Sequence, residues 1–217
     1  MARHLAALTA TLALAALLPA APAPTEPALT PLDLKPFINQ KLKDNFHGDP
    51  RPNNLASLPT GKQTFAGVKF VIGDGVVQLG SARVKGPDKV EGIKVGRFLT
   101  KLHILHSCGC GGYDPADTLI GKYVVRYDDK ATEDIGIAYG KDVVDWWVKP
   151  GQKDASRSKV GWEGESELSK EQGAKLKLSL TTWENPHPKK KVVSIDYVAG
   201  SECQSAPFCV AITAEDK

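Results

Sequence analysis

The sequence predicts an all-β protein of antiparallel strands, arranged as a sandwich or barrel, with helix confined to the periphery. Three observations carry this. Short runs from Val68 onward alternate apolar and polar residues with a period of two, as strands with one buried face do. Turn signals rich in Gly, Asp, Asn and Pro separate these runs at intervals of about 8 to 12 residues. No segment after Phe46 keeps an apolar period of 3.6 residues between caps, and the nearest approach, Glu165 to Lys175, is polar throughout.

Taken in chain order, Arg3 precedes an apolar run from Leu5 to Leu18 broken only by Thr9 and Thr11, which matches a secretory signal in length and flanks. A bilayer span needs roughly 18 or more apolar residues, and Pro19, Pro22 and Pro24 stop any helix where that span would continue. Residues 1–23 are therefore read as a cleavable signal peptide, 24–31 as a flexible linker and 32–217 as one β domain. The expected location is secreted, periplasmic or cell-surface, with no membrane span in the mature protein. Asp33 to Phe46 allows a short helical turn, and His47 to Asn54 is loop.

Val68, Phe70 and Ile72 share an apolar face, and Gly73-Asp74-Gly75 offers a tight turn into Val76, Val77 and Leu79, which predicts a hairpin. Phe98, Leu102, Ile104 and Leu105 fall in a strand running into the loop Gly109 to Gly112. Tyr123, Val125 and Tyr127 face one way while Lys122 and Arg126 face the other. Ile135, Ile137 and Tyr139 alternate, as do Leu176, Leu178 and Leu180, then Val193, Ile195 and Tyr197, before Val210 and Ile212. Each strand is expected to show one face to a core and one to water.

About 190 residues after the signal suffice for one large β domain. The formal charge of +3, with acids and bases interleaved, is not the footprint of a nucleic-acid binder. Lys189, Lys190 and Lys191 follow Pro186 and Pro188 and read as a solvated turn. The four cysteines of an exported chain are expected to form disulfides. Cys203 with Cys209 is one candidate pair. Cys108 with Cys110 would be cramped, and cross-pairing of the two clusters stays open.

Residue types near His103, His106, Cys108 and Cys110 are those of a zinc site, but strand positions three apart point to opposite faces. The expectation is no metal there and no cofactor, with structural calcium left open at Asp128, Asp129, Glu133 and Asp134. Of the adjacent Trp146 and Trp147, strand geometry sends one inward and one outward. An exposed aromatic offers a platform for the apolar face of a sugar. Candidate ligand-binding residues are thus Trp146, Trp147, Trp162, Asp145 and His106. No G-x-S-x-G, H-E-x-x-H or phosphate loop occurs, and Asp142 with Asp145 is the only acid pair to suggest a glycosidase. No catalytic residue is assigned.

The segments Leu58–Phe70, Leu102–His106, Gly121–Tyr127, Asp145–Trp147 and Trp183–Pro188, in that order, resemble galactose-binding-like jelly-roll domains of secreted bacterial proteins. The resemblance spans about Leu32 to Ala214. It implies a sandwich of eight or nine strands with ligand contacts from loops at one end. Members of that fold include carbohydrate binders and purely structural domains. The leading expectation is a secreted, non-catalytic module binding carbohydrate or a cell-surface polymer. The alternatives are a structural or protein-interaction domain without a small ligand and a metal-dependent hydrolase using His103 and His106.

Overall fold

In the computed structural model the described residues are 27–46 and 51–216. The expected signal peptide lies outside them. Fourteen strands occur among these residues, more than the eight or nine that the resemblance implies, because several are only two or three residues long. They are β1 (Leu29–Pro31), β2 (Gln40–Lys41), β3 (Gly61–Phe65), β4 (Val68–Ile72), β5 (Gly75–Gln78), β6 (Lys89–Arg97) and β7 (Lys101–Gly109). Then follow β8 (Leu119–Tyr127), β9 (Thr132–Ala138), β10 (Trp147–Val148), β11 (Lys159–Gly164), β12 (Lys175–Glu184), β13 (Val192–Ala199) and β14 (Ala206–Glu215). The α-helix α1 (Glu167–Glu171) falls in the polar segment where only a peripheral helix was expected, and a 3-10 turn occupies Lys35–Phe37. Ser166 caps α1 by accepting from Ser169 N. No helix among the described residues is long and apolar enough to cross a membrane.

All named strand pairs are antiparallel. The large sheet runs β10-β12-β7-β14-β5-β2, with β1 also beside β14 and β11 also beside β12; the second runs β6-β13-β8-β9. The fold is thus an all-β sandwich. One core fills the space between the sheets with Ile104, Tyr123, Val125, Ile137, Ile195 and Tyr197. A second core lies on the outer face of the large sheet, where Phe46, Leu55, Leu58, Phe70 and Ile72 cover Leu105, Leu178, Phe208 and Val210.

That second core overturns the expectation of one wet face per strand. β8 and β9 do alternate, whereas β5, β7 and nearly all of β14 are buried on both faces. The hairpin expected across Gly73-Asp74-Gly75 does not form either. β4 pairs with β3 across Ala66 and Gly67, both at positive φ, and β5 crosses to β14 and β2. Gly75 marks the crossing, since a Cβ there would come within 2.5 Å of the Gln40 carbonyl oxygen. In β13 a register shift between Val192 and Ser194 buries Val192 and turns Val193 outward, against the face assigned to it from alternation. Ordered pairing starts at Leu29 rather than Leu32, because the end of the supposed linker adds β1 to β14.

All four cysteines are free thiols, so neither Cys203–Cys209 nor any other expected disulfide is present. Cys108 and Cys209 sit in the inter-sheet core, where their sulfurs lie 3.4 Å from Val144 O and 4.0 Å from Ala211 O. Cys203 lies 3.3 Å from Ser205 O. Burial raises the pKa of each, that of Cys209 to about 12.

Candidate functional site

The candidate site lies where β7 runs out. After Gly109 the chain turns through Cys110, in the left-handed region with φ 59°, into a 3-10 turn at Gly111–Tyr113. The segment before β10 then lies against the end of β7, through a bridge between Cys108 and Asp145 and a bond from Trp146 N to Cys108 O at 2.9 Å. Lys177 N of β12 donates to Trp146 O at 2.8 Å from the other side. Two strands therefore fix the Asp-Trp-Trp triplet.

Within the triplet Asp145 is the clamp. One of its oxygens accepts from Gly111 N at 2.7 Å and the other from Trp147 N at 2.9 Å. Burial raises its pKa, against the pull of those two backbone bonds. The Trp147 indole is half-buried and donates from Nε1 to Asn53 Oδ1 at 3.1 Å, while Asn53 itself donates to Phe46 O. The ring is thus held from behind. Gly111 is required for this packing, because a Cβ there would lie 2.5 Å from the Tyr139 ring and 3.0 Å from Asp145 N. Gly111→Ala is expected to cost about 1–3 kcal/mol, as overpacking does, read as a lower urea midpoint together with altered Trp147 fluorescence.

Trp147 and Asp145 open on a cavity of about 440 Å³ that Tyr113, Tyr139, Lys149 and Gln152 also line. Tyr113 is 61% exposed and carries the Arg83 guanidinium 3.6 Å over its ring. Gln152 Oε1 accepts from Lys149 N at 2.6 Å and closes the turn between them. Aromatic faces, an amide, a carboxylate and an ammonium converge here, a lining suited to binding a polar ring. Asp145 is the only carboxylate lining this cavity among the described residues, whereas glycoside hydrolysis ordinarily uses two. Asp142 is turned away: it accepts from Ala138 N and pairs with Arg157.

Of the residues singled out from sequence, Asp145 and Trp147 meet at the cavity. Trp146 touches its wall but is 2% exposed and packs into the outer core. The adjacent tryptophans thus split inward and outward as strand geometry requires. Trp162 is 9% exposed, belongs to the same core and stands against Gly164, so it is a core side chain rather than part of the platform. Trp183 packs against the inter-sheet core. His106 is enclosed between the sheets, with Nε2 2.8 Å from Thr181 Oγ1 and Nδ1 3.3 Å from Tyr123 OH. It is not among the residues that line this cavity. His103 lies on the opposite face, bonded to Thr182 and Glu215, so the two histidines do not converge.

Three of the four acids considered for calcium are engaged by side-chain partners: Asp129 by Lys190, Glu133 by His187 and Asp134 by Lys122. Tyr113, Tyr139, Lys149 and Gln152 escaped the sequence reading. The usable signals were the Gly-rich turn that presents Tyr113 and the Pro150-Gly151 turn between Lys149 and Gln152. Searches against protein-family models, curated proteins and solved structures gave no match to this chain.

Proposed function

We propose that this chain is a secreted, non-catalytic binding module of the galactose-binding-like jelly-roll kind, and that its cleft takes a sugar ring against Trp147. The observation that carries the reading is an indole held from behind by Asn53, on a backbone that Asp145 clamps at the Trp147 N–H, beside a cavity flanked by hydrogen-bonding groups. A pyranose has one apolar face for the ring and hydroxyls for Gln152, Lys149 and the tyrosine hydroxyls. Prefixing the aromatic side chain lowers the ordering cost of binding. Export, suggested by the N-terminal apolar run, would put the cleft where polysaccharides are met.

A glycan-array screen followed by affinity electrophoresis tests this with Trp147→Ala. Loss of a central aromatic anchor is expected to weaken binding by about 2 kcal/mol or more, at least thirtyfold, since such anchors dominate interface energies. The half-buried ring should cost only a few degrees in Tm. Undiminished retention by the variant would exclude the cleft.

A further inference from the structure

A second cavity, of about 250 Å³, adjoins the first, and the two share Tyr139, Asp145, Trp147 and Gln152. Trp147 is therefore common to the linings of both compartments. Each compartment has its own ammonium: Lys149 lines the larger and Lys153 the smaller. Both lysines are exposed. Among the described residues neither has a carboxylate within 4.0 Å, although the neighbouring lysines do. Lys170 and Lys175 pair with Glu165, and Lys177 pairs with Asp154 and Glu163.

The acids of the two compartments are held by other donors and make no direct pair with either lysine. Asp145 is occupied by the backbone N–H groups of Gly111 and Trp147, and Asp154 is bonded to Lys177. What remains is two ammonium groups without a direct ion pair, one beside each of two compartments that share Trp147. A neutral sugar gives those cations nothing to neutralise, whereas a chain with one anionic group on each of two successive rings satisfies both.

Building on the sugar-binding reading, we infer that the cleft is a two-subsite groove for an anionic polysaccharide, with one acidic ring in each of the compartments that share Trp147 and Lys149 and Lys153 each meeting its anionic group. A carboxylate and a sulfate ester present the same chemistry to an ammonium. Lys149 begins the turn that Gln152 closes, and Lys153 follows it.

The test is titration calorimetry of the full chain with polygalacturonate, dextran sulfate and, as a neutral probe, a β-1,4-glucan of matched length. Binding to one or both polyanions should weaken steeply with salt. Removing both exposed ammonium groups in the Lys149→Gln, Lys153→Gln double variant should lower polyanion affinity about tenfold. Trp147→Ala should abolish the same binding. The Lys189→Gln, Lys191→Gln variant, which removes as much charge elsewhere, should leave it unchanged, and di-galacturonate should bind at least tenfold more tightly than galacturonate. Preference for one polyanion identifies the acid.

The inference is overturned if the neutral glucan binds as tightly as the polyanions, if both double variants lose affinity alike, or if monomer and dimer bind equally. In those cases loss of glucan binding in Trp147→Ala would still uphold the sugar-binding reading. If none of the three polymers binds, the inference falls; if a broad glycan array is also blank, so does the sugar-binding reading.

Discussion

Urea denaturation at pH 7 and again at pH 4 is expected to reveal a loss of stability that the His106→Gln variant largely escapes. The imidazole of His106 is 2% exposed, between Thr181 and Tyr123, and burial lowers its pKa from 6.5 to about 3. Between those two values the unfolded chain holds the extra proton. Stability is therefore complete above about pH 6.5 and declines as pH falls toward 3. The full difference corresponds to about 5 kcal/mol at 1.36 kcal/mol per unit, comparable with the whole stability of many domains. A glutamine can bond to both hydroxyls without titrating, so the variant should start somewhat less stable at pH 7 and lose far less on acidification. Equal acid slopes for the two proteins would remove His106 from the account.

The second large effect separates two adjacent residues. Trp146→Ala should destabilise the protein by about 3–5 kcal/mol, because it empties a buried site that cannot collapse fully. The ring lies 5.1 Å from Phe46 and 6.1 Å from Phe208, so it ties the segment before β3 to β14 across the outer face of the large sheet. At about 2–4 °C per kcal/mol for a chain of this size, Tm should fall by roughly 6–20 °C. Trp147→Ala should reverse the balance, with a small change in Tm and a large one in binding. If both variants melt alike, the assignment of one ring to the core and the other to the cleft is wrong.

Much of this contrast was legible in the sequence. Alternation identified the apolar faces of β8, β9 and β12, and two consecutive tryptophans implied opposite directions. What misled was the assumption of a single core. A period-two pattern shows which side of a strand is apolar, but β7 and β14 carry buried residues on both sides, including the polar His103, His106, Ser107 and Thr213. Thr213 donates to Lys69 O of β4, and the position of that strand over the sheet is a long-range fact. Cysteine count had the same weakness: it suggested bonds, while the fold spread the sulfurs over a strand, a turn, a loop and a second strand. Half of the cleft stayed hidden because Tyr113 and Lys149 meet only through the bridge of Cys108 to Asp145, between residues 37 apart in the chain.

The central place of β14 also constrains the order of events in folding. It pairs with β7 along one edge and with β5 and β1 along the other, in a register that sets Leu29 against Glu215. A nascent chain that has reached Ala199 holds two half-sheets with facing unpaired edges and nothing to join them. The large sheet closes only when the last strand threads between partners made long before. Pairings of such high sequence separation make closure slow. Until then the unpaired edges of β5 and β7 stay open to wrong pairing, so refolding yield should fall as protein concentration rises.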